Sequence, residues 1–193
     1  MKTAPFKKTG KSTMAFYLII LAMLVFTIGP AVTVYADKAK ELDAQADAAL
    51  DRFYKQVKEG KEVVQKAKGL LIMPNVKKGA FIIGGEYGRG TLRIGGKTVD
   101  YYSMMSGSVG FQIGGEAKDI IIAFNSSDAL QKFRDSKGWE AGVDGNVALI
   151  SKGAGENTVT AMAKDPIVAF VFDVKGLMAD MSIKGAKFNK LEL

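Results

Sequence analysis

The chain has 193 residues, 48% of them hydrophobic and 24% charged, and it contains no cysteine and no histidine. This composition fits one globular domain and removes whole classes of chemistry: no thiolate nucleophile, no Ser-His-Asp triad, no zinc site of the ordinary ligand set and no disulfide. The formal charge of +7 is the remaining global signal, and the first segment of the chain explains much of it.

Lys2, Lys7, Lys8 and Lys11 open the sequence with no acid before Asp37, Met14 to Ile28 is apolar, and Gly29-Pro30 breaks the run. Val34-Tyr35-Ala36 offers the small residues that a signal peptidase reads, so 1–36 is expected to be a signal peptide cut before Asp37. The protein is then periplasmic or secreted. The alternative is an uncleaved leader anchoring it in the inner membrane, although the apolar run is shorter than the roughly 20 residues a spanning helix needs. Loss of the four leader lysines takes Lys+Arg from 27 to 23 against 20 acidic residues, a net of +3. The high charge is therefore no argument for nucleic acid.

Residues 37–193 are expected to form a single domain, helical over 37–68 and mainly sheet from 69 onward. Leu42, Ala46, Ala49, Leu50, Phe53 and Val57 recur at helical spacing and predict an amphipathic helix over Asp37–Val57, with Asp43, Asp47 and Asp51 on another face. A second short helix is expected over Lys61–Ala67, stopped by Gly69. Leu70–Met73 is a short apolar run. Pro74-Asn75 is expected to turn the chain, leaving Lys77 and Lys78 on an exposed loop.

Lys77 to Gly115 is the glycine-punctuated heart of the sequence. Ala80–Ile83, Thr91–Ile94, Thr98–Met104 and Ser108–Ile113 read as strands, and glycines this dense mark bends, bulges or close backbone approaches. Asp119–Phe124 reads as a central strand. Asn125-Ser126-Ser127-Asp128 caps a helix over Asp128–Asp135, with Leu130 and Phe133 inward. Trp139–Val143 and Val147–Ser151 flank Asp144-Gly145, a hairpin signal, and further strands are expected at Val159–Ala163, Ile167–Phe172 and Gly176–Ile183 before a basic tail of Lys184, Lys187 and Lys190. The fold class is α+β: two N-terminal helices packed on a large, curved, barrel-like antiparallel sheet with one inserted helix.

Two motif-like stretches fail on context. GTLRIGGKT (Gly90–Thr98) has the wrong spacing for a phosphate loop and runs into strand-like residues, where a phosphate loop must open a helix. GGEYGRG (Gly84–Gly90) is read as strand curvature with Tyr87 packing across glycines. Glu86, Asp100, Asp119 and Asp173 could supply a carboxylate pair for glycoside hydrolysis, but no spacing selects one. The strongest feature is a cluster of cations over Lys55–Lys78 with Arg89, Arg93 and Lys97 nearby. Lysines so grouped suit reversible docking on anionic lipid at about 1 kcal/mol each, while any one of them alone reads as a solvated side chain.

At these residues the chain resembles the SYLF domain family. The resemblance rests on Ala67-Lys68-Gly69 with its apolar run to Pro74, Lys78-Gly79-Ala80-Phe81, Ile83-Gly84-Gly85, Tyr87-Gly88-x-Gly90, Ser108-Val109-Gly110-Phe111-Gln112-Ile113-Gly114 and Gly176-Leu177-Met178. It implies a non-catalytic binding module, needing no cofactor, for anionic phospholipid surfaces. Eukaryotic relatives recognise phosphoinositides and a yeast relative binds actin. Export would place this bacterial-type member away from both. The expected headgroup contacts are Lys66, Lys68, Lys77, Lys78, Arg89 and Arg93. The alternative is an envelope adaptor that binds a protein partner through its first helix or its sheet.

Overall fold

The computed structural model describes residues 29–78, 85–107, 117–150, 164–173, 176–177 and 183–193. The chain divides into two compact units, Met1–Lys38 and Ala39–Leu193. Helix α1 spans Gly29–Gln56, α2 Gly60–Lys66 and α3 Ser127–Asp135. The strands are β1 Gly69–Lys78, β2 Gly85–Ile94, β3 Lys97–Gly107, β4 Lys118–Phe124, β5 Trp139–Glu140, β6 Ala148–Ile150, β7 Ile167–Asp173, β8 Gly176–Leu177 and β9 Lys187–Leu191. Helix α1 starts at Gly29, earlier than the expected Asp37. The strands expected at Ala80–Ile83, Ser108–Ile113 and Val159–Ala163 lie outside the described residues, as does most of the leader. Among the described residues no helix is long and apolar enough to cross a membrane.

The α+β expectation holds. One sheet runs in the order β5-β9-β3-β2-β1-β4-β7-β6, with β8 added on β7. All pairings are antiparallel except β6 with β7. The pleat sorts the side chains onto two faces. Leu71, Met73, Leu92, Tyr102, Met104, Ile120, Ile122, Phe124 and Phe188 share the inner face with Leu130 and Phe133 of α3. Phe133 touches the rings of Tyr102, Phe124, Trp139 and Phe188, at centroid separations of 4.7 to 6.2 Å. Those rings come from β3, β4, β5 and β9, so the sheet curls around α3. Ser126 caps this helix as the sequence predicts, its Oγ accepting from Ala129 N–H at 3.3 Å.

On the outer face, Leu70, Ile72, Ile121, Ala123, Val168 and Phe170 pack against Ala46, Ala49, Leu50 and Phe53 of α1. Polar clamps fix how the helix lies. Arg52 is bidentate to Asp119, at 2.6 and 3.0 Å. Arg93 donates to Asp47 at 2.6 Å and to the Asp43 carbonyl at 3.2 Å. Thr98 and Tyr101 donate to the Asp43 carboxylate. Two of the aspartates that the sequence places on a separate face of α1, Asp43 and Asp47, therefore grip β2 and β3 at the hairpin end. From there the helix crosses toward β4 and β7, where Phe53 meets Phe170 and Phe172.

Several expectations need correction. Pro74-Asn75 does not turn the chain: β1 continues through both residues as an irregularity, with a register shift against β2 and β4. Asn75 takes the left-handed conformation (φ 53°) and its N–H donates to Asp119 at 3.0 Å, so the shift is locked from the neighbouring strand. Lys77 and Lys78 thus close a strand rather than occupy a loop. Gly95-Gly96, at φ 58° and 79°, forms the two-residue turn of the β2–β3 hairpin inside GTLRIGGKT. Trp139 and Ala148 belong to no common hairpin: β5 pairs with β9, and β6 runs parallel to β7. The basic tail is strand β9, paired with β3. Tyr87 points away from Gly88 and Gly90, which face Val76 and Met73 on the inner side.

The inner face also buries Tyr102, whose hydroxyl has no hydrogen-bond partner among the described residues. Burial first, and then the Asp100 carboxylate, push this phenol up to about 12, while Arg134 pulls in the opposite direction. A folded value above the ordinary phenol value near 10 means its contribution to stability is intact below pH 10 and lost as pH rises through 12. Wild type should lose up to about 3 kcal/mol more than Tyr102→Phe across that window in urea unfolding. Parallel pH profiles for the two proteins would refute this.

Candidate functional site

Three of the four acids that the sequence left open as catalytic candidates are committed to cations. Glu86 accepts from Lys118 at 2.8 Å inside the curl, the two side chains 8% and 6% exposed. Asp100 takes Arg134 at 3.3 Å and Lys190 at 2.5 Å. Asp119 takes Arg52. Each carboxylate is satisfied by a partner on another element, which is the arrangement of a structural tie; no two of these three are shown as a facing pair. The Asp173 side chain lies outside what is described.

The six expected headgroup residues divide into two groups. Lys66 and Lys68 stand before β1, and Lys77 and Lys78 close it, so the extended strand holds the two pairs on the order of 30 Å apart. Lys66 is paired with Glu62 at 2.8 Å on α2, and Lys68 is exposed. Arg93 lies toward the Lys68 end, opposite Leu70, with its side chain mostly covered and bound to α1. Its charge is spent on holding the helix. Lys78 stands in register with Glu86 at the other end of the strand.

Lys77 and Arg89 lie together at the end remote from the hairpin. The register Lys77↔Tyr87, Tyr87↔Met105, Met105↔Lys187 and Lys187↔Glu140 draws one row across β1, β2, β3, β9 and β5. Residues directly opposite share a face, and strands lie about 4.8 Å apart, so Lys77 to Lys187 spans roughly 14 Å. In the next row Arg89 faces Ser103, and Ser103 faces Asn189. The α1 residues from Ala46 to Phe53 pack on the outer face elsewhere, and among the described residues none packs over this corner. Tyr87 is 37% and Met105 42% exposed, and Lys77, Arg89 and Lys187 are exposed. Among the described residues none of these three cations has an acidic partner within ion-pair distance. Glu140 at the β5 end balances Lys187, so the excess positive charge centres on Lys77 and Arg89.

Sequence reasoning missed Tyr87, Met105 and Lys187 as members of this corner. Period-2 alternation of Tyr87 with Arg89 was the available signal. Met105 joins them across the β2–β3 hairpin, paired with Tyr87, and Lys187 through strand pairing with Met105, more than 80 residues away in sequence, which no local pattern shows.

Residues 105–191 match the family described as "Las17-binding protein actin regulator", Ysc84. No curated protein matches the chain. The matched segment contains β4, α3 and β5 to β9 together with the end of β3, hence Met105 and Lys187; Lys77, Tyr87 and Arg89 come from the strands paired just before it.

Proposed function

We propose, from the match of residues 105–191 to the Ysc84 family, that the protein is an exported, non-catalytic SYLF-like module that docks on anionic phospholipid surfaces. The observation that carries this reading is the bare sheet corner, where Lys77 and Arg89 are free of acidic partners beside exposed Tyr87 and Met105. A side chain with an apolar body and a polar tip suits the headgroup layer, and so does the flexible thioether of methionine. Two uncompensated cations add about 1 kcal/mol each against anionic lipid. Lys187 and Lys78 are the neighbouring basic positions; Lys66 and Lys68 sit too far along β1 to reach the same plane. Export rests on the basic leader with its apolar core and its Val34-Tyr35-Ala36 site.

The adaptor alternative is less favoured by the packing of the first helix. The apolar stripe of α1 within 39–193 is buried on the sheet, and Asp43 and Asp47 are engaged there. The actin-regulating role printed for the family concerns a cytosolic partner, and the leader argues against its transfer to this chain.

Co-sedimentation with phosphatidylglycerol-containing vesicles against pure phosphatidylcholine tests the reading. Lys77→Gln/Arg89→Gln should weaken the phosphatidylglycerol-specific binding by at least about 30-fold, the loss expected from the two charges alone, whereas Lys66→Gln/Lys68→Gln should change it by less than about threefold. Equal binding to both lipids at low salt, or a greater loss from the Lys66/Lys68 pair, would overturn it.

A further inference from the structure

Arg89 differs from the other cations of the corner in being held before anything binds. Its Nε–H donates to the Tyr87 hydroxyl at 2.5 Å, and its guanidinium carbon lies 5.7 Å from the centroid of the same ring. The two residues stand one place apart on the same face of β2, so the strand itself fixes their spacing. A guanidinium offers five N–H donors in one plane. With Nε turned to Tyr87, the donors on the two terminal nitrogens have no partner among the described residues.

Arg93 provides the internal comparison. It lies on the same strand and the same face, but its Nη1 and Nη2 are engaged by Asp47 and the Asp43 carbonyl. One arginine of β2 is therefore consumed in binding the helix, and the other is aimed and left open. Lys77, paired opposite Tyr87 on β1, adds a compact charge on the neighbouring strand. A planar fork with a nearby point charge is the arrangement that takes two oxygens of one phosphate.

We propose that Arg89 is the phosphate-reading residue of this corner, positioned by Tyr87 to grip two oxygens of a single phospholipid headgroup phosphate. This rests on the phospholipid reading above and adds to it a requirement for geometry that charge alone does not meet. Lysine at position 89 keeps the charge and loses the fork. Phenylalanine at position 87 keeps the ring beneath the cation and loses the hydroxyl that holds Nε.

The test uses the full chain and phosphatidylglycerol-containing vesicles, subtracting binding to pure phosphatidylcholine. Arg89→Lys should weaken binding about tenfold with the salt dependence unchanged, because a charge-assisted bidentate contact is replaced by a point charge. Tyr87→Phe should weaken binding about threefold in the Arg89 background and have no effect in the Arg89→Lys background, since the hydroxyl acts only through the arginine. Both side chains are exposed, and the unfolding midpoints of all variants should coincide. Binding of Arg89→Lys equal to wild type, while Lys77→Gln/Arg89→Gln still loses affinity, would overturn the fork and leave the phospholipid reading standing. Absence of phosphatidylglycerol-specific binding by wild type would overturn both. Displacement from vesicles by millimolar glycerol phosphate would assign the fork to a free phosphate and overturn the lipid source; its failure to compete is the expected result.

Discussion

Gly90→Ala should destabilise the protein at or beyond the roughly 3 kcal/mol upper end of ordinary overpacking, enough to threaten folding at all. A Cβ at this position would stand 2.0 Å from the Ile72 carbonyl oxygen and 2.8 Å from its carbon, with Met73 Sδ at 2.7 Å. The sulfur could swing away. The carbonyl belongs to β1, which is pinned by pairing to β2 on one side and β4 on the other. The close approach arises where the Pro74-Asn75 irregularity shifts the register between Ile72 and Lys77. Gly107→Ala is the control, because a Cβ there meets nothing within 4 Å; it should change stability by less than about 0.5 kcal/mol. Urea unfolding of the two variants decides the matter: similar stabilities would mean that the strands are not held together at this point.

Lys118→Met should cost about 3–5 kcal/mol, because it strands Glu86 as an unpaired carboxylate inside the curl. The double variant Glu86→Leu/Lys118→Met should recover most of that loss, ending between neutral and about 4 kcal/mol more stable than wild type, since both desolvated charges disappear together. The contrast between single and double variants separates the cost of an orphaned charge from the worth of the pair. If the double variant is as unstable as the single, the pair contributes packing or register that leucine and methionine do not replace, and the electrostatic account fails.

Much of this architecture was legible because local chemistry coincides with the global fold. Ser126 announces α3 by capping it, the apolar run of β4 announces a strand covered on both faces, and the Leu42 to Val57 stripe announces the helix that lies on the sheet. The failures share a physical cause. Pro74-Asn75 carries every local mark of a turn, yet Asp119 on β4 supplies the hydrogen bond that lets the strand run on. Asp144-Gly145 sits between two β-prone runs, yet Trp139 is drawn into the aromatic cluster around Phe133 and β5 pairs with β9 instead. Asp43 and Asp47 look like a solvated stripe until Arg93, Thr98 and Tyr101 arrive from another element.

The candidate site followed the same division. Lys77 and Arg89 could be chosen from the sequence as cations near the glycine-rich sheet. Nothing local could reveal that Arg93 is spent on α1, that Lys66 and Lys68 lie at the far end of β1, or that Tyr87 and Met105 face each other between the basic residues.

The absence of cysteine makes the most direct test clean, because a single introduced thiol carries the only label. An environment-sensitive fluorophore on Met105→Cys should shift to the blue when phosphatidylglycerol-containing vesicles are added, while the same probe on Lys68→Cys stays unchanged. A shift at position 68 with none at position 105 would contradict the account, for it would put the bilayer at the opposite end of β1.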